Sequence, residues 1–367
     1  MDGALILRRA PRPSCAVVAA LLVVSSTGCG AGGPTERAAA QSEPTTTTAA
    51  VVTTSSSTTT STPAASPAAS PGCLAAPGDR VTAGWIGVES SGRRRALVAL
   101  PPGASADPPT PAPLVVDLHG YTGTAEGQTS VDELGARGSA AGMVVVTPQA
   151  LGELTLWNAT EVSGLADDVG FISTLIERML RTACIDTTRV AVVGGSNGAF
   201  MASTVGCRLA DRVTAIAAVA GLLLPDGCHP SAPVSVLAMH GSEDHLVSID
   251  GGLGPDRVNL ELNAASRAVF GRLPVVAVPT AAAGWAWLAG CTGEPRHGTP
   301  APLVERTSWD RCHEGAEVRL DVVEHAGHAW LGSNALRMLG ASDGSPELAE
   351  DATGEILEFV EAHPRRV

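Results

Sequence analysis

A serine flanked by glycines is the strongest chemical signal in this sequence. Residues 194–198 read Gly-Gly-Ser-Asn-Gly, which matches the pattern G-x-S-x-G. The apolar, β-branched run Val190 to Val193 precedes them, and helix-compatible residues follow from Ala199. A strand, a glycine-flanked serine and a helix are the setting of a nucleophile elbow, where a strained turn exposes the hydroxyl. The pattern predicts that Ser196 is a nucleophile, the alternative being an ordinary strand-to-helix turn.

A serine nucleophile needs a histidine base and a carboxylate that orients it, and beside such an elbow they follow in the order acid, then histidine. Glu243 and Asp244 come directly after the apolar run Val234 to Met239, where a strand would end. We favour Asp244 as the acid, and charge on a surface loop is the alternative interpretation. Asp250 and Asp256 are weaker candidates.

Two histidines compete for the role of base. His325 and His328 both follow the apolar run Val318 to Val323. We favour His328, because it lies between small residues and close to Trp330. His325 is expected to pack or to hydrogen-bond within its own loop.

An early loop supplies candidates for stabilising the oxyanion. His119-Gly120-Tyr121 follows the apolar run Leu114 to Leu118. Beside an elbow, one amide comes from such a loop and the other from the residue after the nucleophile. These would be the backbone N–H groups of Tyr121 and Asn197. His119 contacts the substrate or is a structural histidine bonded within its own loop.

Strands that alternate with helices must position these groups. Aspartates at 167 and 168 mark the start of a helix with apolar residues at helical spacing. We predict a single α/β catalytic domain at residues 73–367 with a mainly parallel central sheet flanked by helices. The predicted strands are 81–88, 94–100, 114–118, 143–147, 190–193, 213–220, 234–239 and 318–323, and a closing helix is predicted at 346–362.

The first 72 residues are predicted to lie outside this domain. Residues 1–28 combine early arginines with a short apolar run, which is typical of a signal peptide. The stretch Ser26-Thr27-Gly28-Cys29 resembles a bacterial lipobox, so lipidation at Cys29 is favoured over ordinary secretion. Residues 29–72 are rich in Ala, Thr, Ser and Pro and predict a disordered linker. Either signal predicts an extracytoplasmic protein, as a cell-envelope lipoprotein or in secreted form.

Cysteine usage agrees with export. Apart from Cys15 and Cys29 the chain has an even set of cysteines, which suggests three disulfides with fifteen possible pairings. Short loops favour Cys207–Cys228 and Cys291–Cys312, which leaves Cys73–Cys184.

Composition excludes several chemistries. The chain has no lysine, so a Ser-Lys dyad, a lysine Schiff base and a P-loop lysine are ruled out. A net charge of −13 without a basic run argues against a nucleic-acid partner. No cofactor and no metal are expected, and a membrane partner is expected only through the lipid at Cys29.

Several of these motifs together resemble the secreted serine esterases grouped with polyhydroxybutyrate depolymerases and with carbohydrate esterase family 1, the feruloyl and acetylxylan esterases. They stand in the expected order along residues 80–364: LVVDLHGYTG, WN, ADDVGFI, RVAVVGGSNGAFMA, VLAMHGSEDHLV and AGHAW. The resemblance implies an α/β-hydrolase fold, a triad of Ser196, Asp244 and His328, and an oxyanion hole at Tyr121 and Asn197.

The activity that this resemblance implies is hydrolysis of carboxylic esters through an acyl-enzyme. Its substrates would be hydroxyalkanoate esters, whether small or polymeric, or feruloyl and acetyl esters of polysaccharides, with Trp157 and Trp330 lining the pocket. The alternatives are a serine peptidase of the same fold and a tethered protein that binds glycan or polyester without catalysis. A metallohydrolase is a further alternative, using His240, Asp244, His245, His325 and His328.

Overall fold

The computed structural model describes residues 67–90, 92–273, 276–342 and 344–366. The predicted signal peptide, the lipidation site Cys29 and the linker up to residue 66 lie outside the described residues. The linker was predicted to extend to residue 72, but the chain joins the domain earlier. The N–H of Ser70 donates to the carbonyl oxygen of Ile185, and that of Thr187 donates to the carbonyl oxygen of Ala68, both at 2.8 Å. The packed domain therefore starts before the predicted boundary at residue 73.

Ten strands and eight α-helices make up the described domain. The longest helix has 15 residues, and in the part of the chain that the structure describes no helix is long and apolar enough to cross a membrane. The strands are β1 Gly84–Glu89, β2 Arg93–Ala99, β3 Ala112–Leu118, β4 Val144–Pro148, β5 Ile185–Gly195, β6 Ala215–Val219, β7 Ser235–Gly241, β8 Arg296–Ala301, β9 Val304–Trp309 and β10 Val318–Val323. The helices are α1 Ala125–Asp132, α2 Leu134–Ala140, α3 Asp168–Thr182, α4 Asn197–Arg208, α5 Ala264–Phe270, α6 Val278–Leu288, α7 Asn334–Met338 and α8 Ala352–Ala362.

All ten strands form one sheet in the order β1-β2-β4-β3-β5-β6-β7-β10-β9-β8. The pairs from β4 through β10 in this order are parallel, while β1, β2, β9 and β8 pair antiparallel at the two edges. Strand β5, which ends directly before Ser196, lies in the middle of the sheet. This architecture is the α/β-hydrolase fold, and it confirms the predicted fold class.

The central strands are apolar on both faces because helices cover both faces. Along β5, Val190 and Val192 pack into one core with α3 and α4, whereas Ala191 and Val193 pack into the other core with α8. Successive side chains of a strand point to opposite faces, so one continuous apolar run supplies both cores. Their burial fixes the strand ends on which the candidate site is built.

Two parts of the sheet's surroundings differ from the prediction. The hairpin β8–β9 extends the sheet beyond β10 and was not predicted, because Arg296–Ala301 is a polar, largely exposed stretch that contains glycine and proline. The closing helix is divided: Pro346–Leu348 forms a 3₁₀ turn, and α8 starts only after Asp351, whose carboxylate accepts the N–H of Gly354.

Three disulfides join the six cysteines of the described domain. The pairs are Cys73–Cys184, Cys207–Cys228 and Cys291–Cys312, the pairing that short loops favour. The first ties the start of the domain to the residue before β5.

Candidate active site

Ser196 occupies the turn between β5 and α4. Its backbone has φ 55° and ψ −120°, a conformation in which a residue with a side chain is strained. The Ser196 N–H donates to the carbonyl oxygen of Val219 on β6 at 2.9 Å, which fastens the turn to the neighbouring strand. The side chain is half-buried. This is the geometry of a nucleophile elbow.

The outer glycines of the motif are required by close packing. A Cβ on Gly194 would lie 2.4 Å from the carbonyl carbon of Gly198, and a Cβ on Gly198 would lie 2.1 Å from the carbonyl oxygen of Leu118. Gly195 is less restricted, because its Cβ would meet the Trp330 ring at 3.3 Å. Helix α4 can therefore approach the end of β3 only with glycine at positions 194 and 198.

Asp244 lies just past the end of β7 and is buried. Its Oδ1 accepts the N–H groups of Leu246 at 2.9 Å and Val247 at 2.8 Å, and its Oδ2 lies 2.7 Å from Nδ1 of His328. Burial alone would raise the pKa of Asp244, but the hydrogen bond and charge of His328, the charge of His240 and the N–H of Val247 outweigh it and hold the pKa below its ordinary value. The carboxylate is thus kept ionised and aimed at one imidazole.

The loop after β10 holds His328 against this carboxylate. The N–H of Glu243 donates to the carbonyl oxygen of Ala326 at 2.9 Å, and a Cβ on Gly241 would lie 2.6 Å from the carbonyl oxygen of Gly327. The acid loop and the base loop therefore run in direct contact. Because Nδ1 faces Asp244, Nε2 is the nitrogen of His328 that is left to take a proton.

In the proposed mechanism type, the two atoms that exchange the proton are the hydroxyl oxygen of Ser196 and Nε2 of His328. Among the described residues neither atom makes a hydrogen bond, and none joins the two groups to each other. The contact of Gly195 with Trp330 brings the elbow and the base loop together at one edge of the sheet. Nucleophile and base often close to hydrogen-bonding distance only when substrate is bound.

The competing candidates lie elsewhere on these loops. His325 is exposed, and its Nδ1 lies 2.8 Å from Oε1 of Glu243, so the hydrogen bond that this carboxylate accepts raises the pKa of His325. Asp250 is exposed, and Asp256 uses its N–H to bond the carbonyl oxygen of His245. None of these carboxylates contacts His328, which leaves Asp244 as its partner.

The two backbone N–H groups predicted for the oxyanion hole flank the serine. Asn197 is the first residue of α4, where helix N–H groups have no intrahelical partner. On the other side, a Cβ on Gly120 would lie 3.6 Å from Cβ of Ser196, which places the Tyr121 loop beside the nucleophile. Among the described residues no acceptor takes the N–H of Tyr121 or of Asn197. Both donors are therefore available to a ligand.

Trp157 connects the two halves of this donor pair. The Asn197 side chain accepts the N–H of Trp157 at 2.8 Å and donates to its carbonyl oxygen at 3.1 Å. The Trp157 indole donates to the carbonyl oxygen of His119 at 2.9 Å. His119 itself donates from Nδ1 to the carbonyl oxygen of Gly120 and accepts the N–H of Ala150 at Nε2. Burial lowers the pKa of His119 to about 4, so the ring is neutral.

Three side chains predicted to contact substrate are instead buried behind the site. Trp157 and His119 are 0% exposed, and Trp330 is 7% exposed. The Trp330 indole donates to Oγ1 of Thr353 at 2.9 Å, beneath the base loop. The polar atoms of these side chains are taken up by hydrogen bonds inside the protein, so in this structure the three residues support the site loops from behind. For His119 this is the structural alternative stated above.

Sequence reasoning missed two supporting side chains. The amide of Asn197 was considered only for its backbone N–H, although an asparagine inside the serine motif was a usable signal. His240 is 1% exposed, donates from Nε2 to the carbonyl oxygen of Val247 at 2.9 Å and lies 3.5 Å from Oδ2 of Asp244. Burial lowers the pKa of His240, although the charge of Asp244 acts in the opposite direction. Within the described ranges no three His, Cys, Asp or Glu side chains are grouped to hold a metal ion.

Comparison with known proteins points to esterases. No protein-family model matches the sequence. The chain is 30% identical over 244 residues to feruloyl esterase B of Piromyces equi, which covers 64% of this chain and 42% of that protein. It is 28% identical over 289 residues to NocK of Nocardia uniformis subsp. tsuyamanensis, a candidate esterase, which covers 73% of this chain and 80% of that protein. Among solved structures, the acetyl xylan esterase from Aspergillus awamori superposes with a TM-score of 0.49 at 14% identity, over 76% of this chain and 98% of that one.

Proposed function

We propose that this chain is a carbohydrate-esterase-like α/β-hydrolase and that it hydrolyses carboxylic esters through an acyl-enzyme formed on Ser196. The observation that carries the proposal is the 2.7 Å contact between Asp244 Oδ2 and His328 Nδ1, placed beside a strained serine elbow. A buried carboxylate that fixes the tautomer of an imidazole is the arrangement that activates a serine hydroxyl.

In the proposed reaction His328 Nε2 takes the proton of the Ser196 hydroxyl as Oγ attacks the ester carbonyl carbon. The oxyanion accepts hydrogen bonds from the N–H groups of Tyr121 and Asn197, each of which would contribute about 2.7–4 kcal/mol to lowering the barrier. His328 then gives its proton to the leaving alcohol. A water molecule, deprotonated by the same nitrogen, attacks the acyl-enzyme and releases the acid, while Asp244 stabilises the imidazolium in both steps.

For the substrate we propose feruloyl or acetyl esters of polysaccharides. Support comes from the similarity to a feruloyl esterase, of which this chain spans less than half. Hydroxyalkanoate esters of the polyhydroxybutyrate type remain a prediction from the motifs alone. A panel of methyl ferulate, acetylated xylan and hydroxybutyrate oligomers separates these substrates, and turnover of the hydroxybutyrate oligomers alone would contradict the choice of polysaccharide esters.

The mechanism is tested by Ser196→Ala in the full chain, assayed with p-nitrophenyl acetate and with a fluorophosphonate probe. We expect loss of turnover and of labelling. Ser130→Ala, which changes an exposed serine on α1, is the matched control and should keep both. Full activity in Ser196→Ala would rule out the acyl-enzyme.

We further propose that the protein works outside the cytoplasm. Three disulfides support this, because such bonds persist in oxidising compartments. The lipid anchor at Cys29 is tested by Cys29→Ala in the producing cell. The expected result is a shift from the membrane fraction to the medium, and an unchanged distribution would contradict the anchor.

A further inference from the structure

A long segment between β7 and α6 lies against the acid loop. We call residues 246–273 the cap segment. The N–H of Gly254 donates to the carbonyl oxygen of Leu246 at 2.9 Å, and the N–H of Asp256 donates to the carbonyl oxygen of His245 at 3.0 Å. A Cβ on Gly254 would lie 2.2 Å from the carbonyl oxygen of His245. One end of the cap segment is therefore fixed directly beside Asp244.

The second half of the cap segment is attached to the loop after β3 by the side chain of Tyr121. The Tyr121 hydroxyl donates to the carbonyl oxygen of Glu261 at 2.6 Å. Its ring meets the ring of Phe270 edge-on, with centroids 5.1 Å apart and an interplanar angle of 81°. Burial raises the pKa of the Tyr121 phenol, which agrees with a side chain held against the protein.

A second contact lies close to the first. Oγ1 of Thr160 donates to the carbonyl oxygen of Val269 at 3.1 Å. Thr160 belongs to the same loop as Trp157, which the side chain of Asn197 holds. The cap segment thus touches the acid loop, the loop of Tyr121 and the loop of Trp157, whereas Val258 within it is 79% exposed.

We propose that Tyr121 and Phe270 form a latch that holds the cap segment as one wall of the ester-binding cleft and thereby sets the preference for bulky aromatic acyl groups. This inference rests on the proposed esterase function. Tyr121 acts in two ways: its backbone N–H serves the oxyanion, while its side chain positions the cap segment. As part of that wall, the ring pair would offer an apolar, flat surface to an aromatic acyl group such as feruloyl, whereas an acetyl group would end before it.

The test compares kcat/KM for methyl ferulate and for p-nitrophenyl acetate in the full chain. Tyr121→Phe removes the hydrogen bond to Glu261 and keeps the ring, whereas Phe270→Leu removes the edge-on ring contact. Each variant should lower the ferulate-to-acetate ratio by about threefold to tenfold, the range for loss of one neutral hydrogen bond or one aromatic pair. The change should be in KM for methyl ferulate. Trp85→Leu, on the edge strand β1, is the matched control and should leave the ratio unchanged.

A second measurement detects the latch without relying on activity. Tyr121 is the only tyrosine in the chain, so 3-fluorotyrosine labelling gives one ¹⁹F resonance. We expect Phe270→Leu to shift this resonance and Trp85→Leu to leave it in place. A resonance that ignores Phe270→Leu, or a substrate ratio that stays within twofold in both latch variants, overturns the latch. Failure of the proposed function looks different, because then the unsubstituted chain turns over neither ester and Ser196 is not labelled.

Discussion

Replacing Asp244 by asparagine tests the pair on which the proposed chemistry depends. The exchange is nearly isosteric, and the asparagine carbonyl can still accept the N–H groups of Leu246 and Val247, which Oδ1 of Asp244 accepts now. The turn after β7 should therefore keep its shape. What changes is the atom that faces His328 at 2.7 Å.

The magnitude follows from two losses. A hydrogen bond to a charged group contributes about 1.5–3 kcal/mol, so its loss alone corresponds to a rate decrease of about 10-fold to 150-fold. The asparagine NH₂ would also donate to Nδ1 of His328, which leaves the proton on Nε2 and prevents that nitrogen from accepting one. In serine proteases this exchange of tautomer brings the loss to about 10⁴-fold. We expect kcat/KM for p-nitrophenyl acetate to fall by between about 10² and 10⁴.

Glu243→Gln is the matched control for this substitution. Glu243 is the neighbouring carboxylate and pairs with the exposed His325 on the surface, so its loss should leave kcat/KM within about twofold, as for most exposed ion pairs. Thermal unfolding of both variants checks that the fold is intact. The reasoning is refuted if a folded Asp244→Asn keeps kcat/KM within threefold of the unsubstituted chain, or if both variants lose activity equally.

Three further predictions test the surroundings of the site. Gly198→Ala should lower the free energy of unfolding, measured with urea, by about 1–3 kcal/mol, because its methyl would lie 2.1 Å from a carbonyl oxygen of β3. Gly195→Ala, which would meet an indole ring at 3.3 Å, should fold and is the control. Burial and the negative charge of a neighbouring aspartate raise the pKa of Glu350 to about 8 from an ordinary 4.5, so the folded chain holds one more proton than the unfolded chain between these values and loses stability as pH rises. Melting temperatures at pH 5.5 and pH 8 should show this loss, and Glu350→Gln should reduce it; an equal slope in both proteins would contradict the assignment. Asn197→Ala removes two hydrogen bonds to the backbone of Trp157 and should lower kcat for p-nitrophenyl acetate about tenfold with little change in KM, and unchanged kcat would show that the amide does not position the oxyanion donors.

The parallel part of the sheet was predictable because strands that are buried on both faces appear in the sequence as continuous apolar runs. Runs such as Val190 to Val193 are apolar without alternation, and this one ends at Gly194. The hairpin β8–β9 has no such apolar run, since its outer strand β8 is exposed and carries polar residues. Tertiary pairing with β10, not local composition, makes this stretch a strand.

Residue order along the chain predicted which loops meet, but not which way their side chains point. The pair Asp244 and His328 follows from two strand ends that meet at one sheet edge. The orientation of the tryptophan side chains could not be predicted in this way. A tryptophan in a site loop lines a cleft in one protein and supports the loop from behind in another. Only the packed structure shows that Trp157 and Trp330 belong to the second kind.

The arrangement separates the parts that would perform the reaction from the parts that would choose the substrate. Trp157 is hydrogen-bonded to the side chain of Asn197 and to the carbonyl oxygen of His119, so one buried residue supports the positions of both oxyanion donors. The cap segment meets this framework through the side chain of Tyr121 and the hydroxyl of Thr160, not through the bonds that fix the two N–H groups. Changes in the cap segment can therefore alter which ester binds while the two N–H donors stay in place. For this reason we expect Asn197→Ala to lower kcat and Phe270→Leu to raise KM for methyl ferulate.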